Sequence, residues 1–102
     1  MRLAELASTI RSKNAGVDHV TFDIIFRDAA AFSRTVESGA INADSVAALY
    51  GVDRGRVTSF VVFDPAQAIK FTIRRVKPAG SAGEPDPFGS QFYPPLFELE
   101  IP

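Results

Sequence analysis

The sequence predicts a small α+β domain, a two-layer sandwich in which helices cover one face of a small mixed β-sheet of about three or four strands. Apolar residues recur with helical spacing in some segments and alternate with polar residues in others. In chain order this gives a helix, a strand, two helices, a strand, a return strand and an extended Pro-rich arm, which is partly ferredoxin-like. We divide the chain into an α+β core over 1–75 and a Pro/Gly-rich arm over 76–102 that ends in an extended strand and belongs to the same domain.

The first predicted element is an N-terminal helix. Residues with the i, i+3, i+4, i+7 spacing of one helical stripe are Leu3, Leu6, Ala7 and Ile10. Arg11 and Lys13 would then lie in the last turn, where cations complement the helix dipole, and Asn14 or Gly16 would form the left-handed cap.

Two segments have the apolar content of buried strands, and a third forms the return strand of a hairpin. Residues 20–27 alternate with period two, and residues 57–63 are apolar on both faces, as in a central strand. Residues 64–67 form a turn, and 69–74 alternate again. If the first two strands are parallel neighbours, the segment between them makes a right-handed crossover.

Two short helices with capping signals fill that crossover. Asp28 is the expected N-cap of the first, which should bury Phe32 and Val36 and end at Gly39. In the second helix, Asn42 is the expected N-cap, and Ile41 and Val46 are expected to form a hydrophobic staple. Gly51 should end this helix.

Composition excludes several classes of function. A formal charge of -1 provides no electrostatic footprint for nucleic acid, and the absence of Cys together with a single His excludes thiolate metal sites. We expect no cofactor. No apolar run approaches the roughly 18 residues of a membrane span, and we expect a cytoplasmic protein that does not contact membranes. A domain of 102 residues has a modest core and often depends on a partner.

The sheet face opposite the helices is expected to be mixed in character, and therefore either solvated or docked. Its expected residues are Asp23, Ile25, Lys70, Thr72 and Arg74, with Phe60 or Val61 between them. Asp is uncommon in strands and needs a partner when it is covered, which Lys70 or Arg74 could provide. We favour a structural or interface ion pair here over a catalytic dyad.

The stretch RSKNAG, residues 11–16, allows two interpretations. It is either the helix end described above or an anion site in which Arg11, Lys13, Asn14 and the backbone around Gly16 hold a carboxylate or phosphate. Asp64 likewise is either a turn residue with a local hydrogen-bonding role or a general base. His19, the one histidine, is expected at the surface.

Six motifs in order resemble a small bacterial family: LAxxIRSKNAG, TFDIIF, LYGV, FDPAQAIK, FGSQ and PLFELEIP. Members of that family accompany AtuA-type acyclic-terpene-utilisation proteins or are fused to them, near genes of acyl-CoA and organic-acid catabolism. The resemblance therefore implies a large partner chain. The positions it marks as functional are Arg11, Ser12, Lys13, Asn14, Gly16, Asp23, Asp64, Pro65, Lys70, Gly89 and Gln91.

We accordingly expect an accessory or co-catalytic subunit that docks onto an AtuA-like large chain, or self-associates, and adds an anion-binding loop to a shared site. The rival is a hydratase or lyase component that holds a carboxylate or a CoA phosphate with Arg11, Lys13 and Asn14 and uses Asp23 or Asp64 as acid and base. A third hypothesis is that the protein binds a small molecule without a partner chain. Lys70, Arg74, Gly89 and Gln91 are assigned interface or supporting roles.

Overall fold

An antiparallel sheet of four strands forms the centre of the part of the chain that the structure describes. The structure, a computed structural model, describes residues 1–16, 18–74, 96 and 98–102. Its elements are helix α1 (Leu3–Leu6), strands β1 (Ala7–Asn14) and β2 (His19–Phe26), helices α2 (Ala29–Ser38) and α3 (Ala43–Leu49), and strands β3 (Val57–Phe63) and β4 (Ala68–Arg74). The strand order is β1-β2-β4-β3.

The predicted α+β class is confirmed, but the sheet is antiparallel throughout the described residues rather than mixed. Strands β2 and β3 run in the same direction, as the crossover prediction requires, yet they are not neighbours. Strand β4 lies between them and pairs with both. It takes this central place because its alternating residues Ile69, Phe71 and Ile73 are all buried.

The N-terminal segment corrects the sequence prediction, because helix α1 is a single turn and residues 7–14 form a strand. Thr9 and Ile10 are β-branched, which favours an extended backbone, and β1 pairs with β2 in a hairpin. Gly16 in the connection has φ of 90°, a conformation that glycine adopts without strain. Arg11 and Lys13 therefore lie in a strand, and their predicted place in the last turn of a helix is wrong.

The caps of the two crossover helices are confirmed. The Asp28 carboxylate accepts a hydrogen bond of 2.8 Å from the backbone N–H of Ala31, and Gly39 ends α2 with φ of 70°. Asn42 and Ser45 form a reciprocal capping box at the start of α3. These local hydrogen bonds satisfy backbone groups that a helix end leaves without partners.

Helix α2 buries a different residue from the one predicted. Phe32 faces the core, but Val36 is 40% exposed and Thr35 is buried in its place. The Thr35 hydroxyl donates to the carbonyl of Ala31 at 3.0 Å, so its burial leaves no polar group unsatisfied. Among the described residues, no helix has the length and apolar character needed to cross a membrane.

The core lies between the helices and one face of the sheet. Phe22 of β2 stacks on Phe71 of β4 at 4.6 Å between ring centroids, and Tyr50 packs on Phe22 at 4.9 Å. Phe26 meets Phe32 of α2 edge to face at 5.7 Å. This aromatic contact between layers fixes the helices on one side of the sheet.

The described C-terminal residues join this core. Leu96 and Ile101 are fully buried. Residues 98–102 include an antiparallel bridge between Arg2 and Glu100, and the backbone N–H of Ile101 donates to the carbonyl of Met1 at 2.7 Å. The rest of the predicted arm lies outside the described residues, and the boundary at residue 76 stays a prediction.

The turn predicted at 64–67 is confirmed as the β3 to β4 connection. Residues Asp64–Ala66 form one turn of 3-10 helix, and Gln67 adopts φ of 50°. The prediction that residues 57–63 form a central strand is wrong, because β2 and β4 occupy the centre and β3 is an edge of the described sheet.

Candidate functional site

The sheet face opposite the helices, here called the outer face, carries side chains in rows that run across the strands. Alternate residues of each strand point to this face, and the register fixes which of them are neighbours. From β1 to β3 the rows are Lys13, Thr21, Thr72 and Ser59; Arg11, Asp23, Lys70 and Val61; and Thr9, Ile25, Ala68 and Phe63. The outer face therefore changes from hydroxyl-rich to ionic to apolar along the strands.

The middle row holds an ionic cluster made of Arg11, Asp23 and Lys70. Arg11 Nε donates to Asp23 Oδ2 at 3.0 Å, and Lys70 Nζ lies 3.7 Å from Asp23 Oδ1. Asp23 is only 4% exposed, whereas the side chains of Arg11 and Lys70 are 59% and 53% exposed. One buried carboxylate is thus held by two solvent-facing cations, which leaves the cluster with a net charge of +1.

The contact between Lys70 and Asp23 is an ion pair without a hydrogen bond. Asp23 Oδ1 is buried and has no hydrogen-bond partner in the structure. At 3.7 Å from this oxygen, the Lys70 ammonium is beyond hydrogen-bond distance. Lys70 therefore contributes charge to Asp23 without a hydrogen bond to it.

The expectation that Asp23 has a partner across the sheet is confirmed for Lys70. Arg74 lies four residues beyond Lys70 along β4, opposite His19, and is therefore not in the row of Asp23. Arg11 takes the second position beside Asp23, because residues 7–14 form a strand rather than a helix.

The RSKNAG stretch is divided between two faces of the sheet. Arg11 and Lys13 belong to the outer face, whereas Ser12 is buried opposite Phe22, on the side of the core. Asn14 alternates with Lys13 and so also lies on the core side. The structure therefore does not bring the cations and the amide together as the anion-site hypothesis requires.

The other predicted site residues lie apart from the ionic cluster. Asp64 is exposed in the β3 to β4 turn, beyond the row of Phe63 and Ala68, and is not brought together with Asp23. Gly89 and Gln91 lie outside the described residues. In the described part of the chain, no three His, Asp or Glu side chains form a group that could hold a metal ion.

A shallow groove of about 300 Å³ lies on the outer face over β3 and β4. It is lined by Thr21, Ser59, Val61, Phe63, Lys70 and Thr72. Thr21 and Thr72 share a hydrogen bond between their hydroxyls at 3.2 Å. The groove thus has a hydroxyl end, an apolar end and the Lys70 ammonium between them.

Sequence reasoning missed Ser59, Thr21 and the role of Phe63 in this groove. The period-two alternation of 57–63 contains the necessary signal, because it places Ser59 and Phe63 on the same face as Val61. Only the strand order brings this face beside Lys70 and Thr72.

Strand β3 is also the less protected of the two edges of the described sheet. Its consecutive residues Val61, Val62 and Phe63 are 46%, 41% and 46% exposed, and the strand contains no charged residue. Edge strands are ordinarily protected by charges, proline or bulges. Strand β1 has two cations and an irregular register near Ala7, whereas β3 has an irregular register near Val57 and no charged residue.

The sequence matches the family described as Domain of unknown function (DUF4387) over residues 3–100, and the chain belongs to that family. No curated protein and no solved structure matches the chain.

Proposed function

We propose that this member of the DUF4387 family is an accessory subunit that docks onto a larger chain through the β3 edge and the adjoining outer face. The observation that carries the proposal is the run of exposed Val61, Val62 and Phe63 on an uncharged edge strand. An exposed apolar edge invites a strand from another chain, which supplies backbone hydrogen bonds and covers the apolar side chains.

The partner we propose is an AtuA-like large subunit of acyl-CoA or organic-acid catabolism of the terpenoid type. The six motifs that resemble a family accompanying such proteins support this choice. Self-association through the same edge is the alternative, and the experiment below separates the two.

An active-site role for Asp23 as acid and base has less support. Two cations hold its carboxylate at 3.0 and 3.7 Å, and the residue is almost fully buried. A general acid or base must reach the proton that it transfers. Asp23 is better placed to orient Arg11 and Lys70 than to contact a substrate.

Co-expression of the tagged chain with an AtuA-type protein tests the docking proposal. We expect the two to purify together, and we expect the double variant Val61→Lys/Phe63→Lys to lower the recovered complex at least about tenfold, because an unpaired ammonium is unfavourable in a buried interface. The matched control is Val36→Lys on α2, where a similarly exposed valine receives the same charge away from the sheet.

Two results would contradict the proposal: no complex with the wild-type chain, or equal recovery with the edge variant. Sedimentation of the chain alone distinguishes the alternative, since a dimer that the edge variant converts to monomer indicates self-association. Unchanged melting temperatures for both variants show that the fold is intact.

A further inference from the structure

We propose that the groove on the outer face binds a small amphipathic carboxylic acid. Lys70 and the hydroxyl end receive the carboxylate, and Val61 and Phe63 contact the apolar body. The groove shares Val61 and Phe63 with the proposed docking surface, so ligand binding is tested on the chain alone. The site does not use the RSKNAG stretch as a unit.

Charge favours an anion in the groove. The ionic cluster has two cations for one buried carboxylate, so a single negative charge on the ligand completes the balance. Lys70 lines the groove, and its ammonium makes no hydrogen bond to the buried oxygen of Asp23. A carboxylate in the groove can therefore accept a charge-assisted hydrogen bond from Lys70 while the ion pair with Asp23 is kept.

The hydroxyl end adds donors that suit a carboxylate. In the hydrogen bond between Thr21 and Thr72, one hydroxyl donates and the other accepts, which leaves the hydrogen of the accepting hydroxyl for a ligand. Ser59 lies next to Thr72 in the same row and supplies another hydroxyl. Among the described residues, Lys70 is the one cation that lines the groove with these neutral donors, a setting for a monoanion more than for a phosphate.

The apolar end limits the size of the ligand. Val61 and Phe63 are both nearly half exposed, so a bound hydrocarbon would remove apolar surface from water. The volume of about 300 Å³ is at the lower limit of ligand sites and suits a short acid rather than a whole coenzyme.

Titration of the 15N-labelled full chain with 3-methylbutanoate, followed by NMR, tests this site. We expect amide shifts at Ser59, Val61 and Thr72, and affinity at least about tenfold lower in Lys70→Gln, because a charge-assisted contact is lost. Lys13→Gln is the matched control, since Lys13 is a cation of the same face that does not line the groove. It should bind as the wild type does.

A second variant, Thr72→Val, leaves the ionic cluster intact and should weaken binding several-fold even if Lys70→Gln proves unstable. The neutral 3-methylbutanamide and inorganic phosphate are the comparison probes, and both should bind at least about tenfold more weakly than the acid. Equal binding of the acid and the amide, equal binding of phosphate, or unchanged affinity in both groove variants would each overturn the proposal. Shifts confined to residues outside the groove would also overturn it.

Discussion

The two faces of the sheet use the same strands for different purposes. On the core face, Phe22 and Phe71 stack under the helices and are almost fully buried. On the outer face, the neighbouring residues Asp23 and Lys70 form part of an ionic cluster, and Val61 is nearly half exposed. Because successive residues of a strand alternate between faces, one face can provide stability while the other remains available for binding.

The largest expected difference between the faces is in how much a side chain contributes to the free energy of unfolding. Phe71→Ala should lower the free energy of unfolding by about 3–5 kcal/mol, because it leaves a cavity under the helices. Phe63→Ala is the matched substitution on the outer face and should lower it by less than about 1 kcal/mol. Urea denaturation of both variants measures this. Similar losses in the two variants would show that the outer face also stabilises the fold.

A smaller effect on the free energy of unfolding should distinguish the two cations of β1. Arg11→Gln removes the hydrogen bond to a buried carboxylate and should lower the free energy of unfolding by about 1 kcal/mol, a value reduced for the exposure of Arg11. Lys13→Gln should change it by less than about 0.5 kcal/mol. Equal effects in thermal unfolding of the two variants would contradict the pairing of Arg11 with Asp23.

The smallest expected effect is a pH dependence on the core side. Burial raises the pKa of the Tyr50 hydroxyl above its ordinary value. Because the pKa of Tyr50 is higher in the folded protein than in the unfolded chain, the neutral hydroxyl makes its full contribution to stability below about pH 10. That contribution decreases as the pH rises above this value. The melting temperature of the wild type should therefore fall more between pH 9 and 11 than that of Tyr50→Phe. Parallel curves would contradict this assignment.

The crossover helices could be predicted from the sequence because their signals are local. Asp28 and Asn42 cap within three residues of themselves, and Gly39 ends its helix through its own backbone conformation. Such signals depend little on the rest of the fold. The polar outer face around Asp23 and Lys70 was also predictable, since it follows from period-two alternation.

The features that could not be predicted depend on long-range pairing. The spacing of Leu3, Leu6 and Ile10 fits a helix as well as a helical turn followed by a strand, and only pairing with β2 decides between them. For the same reason, Arg11 could not be recognised as a partner of Asp23. The edge position of β3 depends on the return of β4 to the sheet centre, which no local pattern in 57–63 specifies.

Amide hydrogen exchange on the chain, alone and with the proposed AtuA-type partner, tests most directly whether the β3 edge and outer face are the docking surface. If a partner strand pairs with β3, its outward backbone amides acquire hydrogen bonds and exchange at least about tenfold more slowly in the complex. Amides of β1, at the protected edge, should exchange at the same rate in both samples. Slower exchange in β1 without a change in β3, or no change in either strand, would contradict the account.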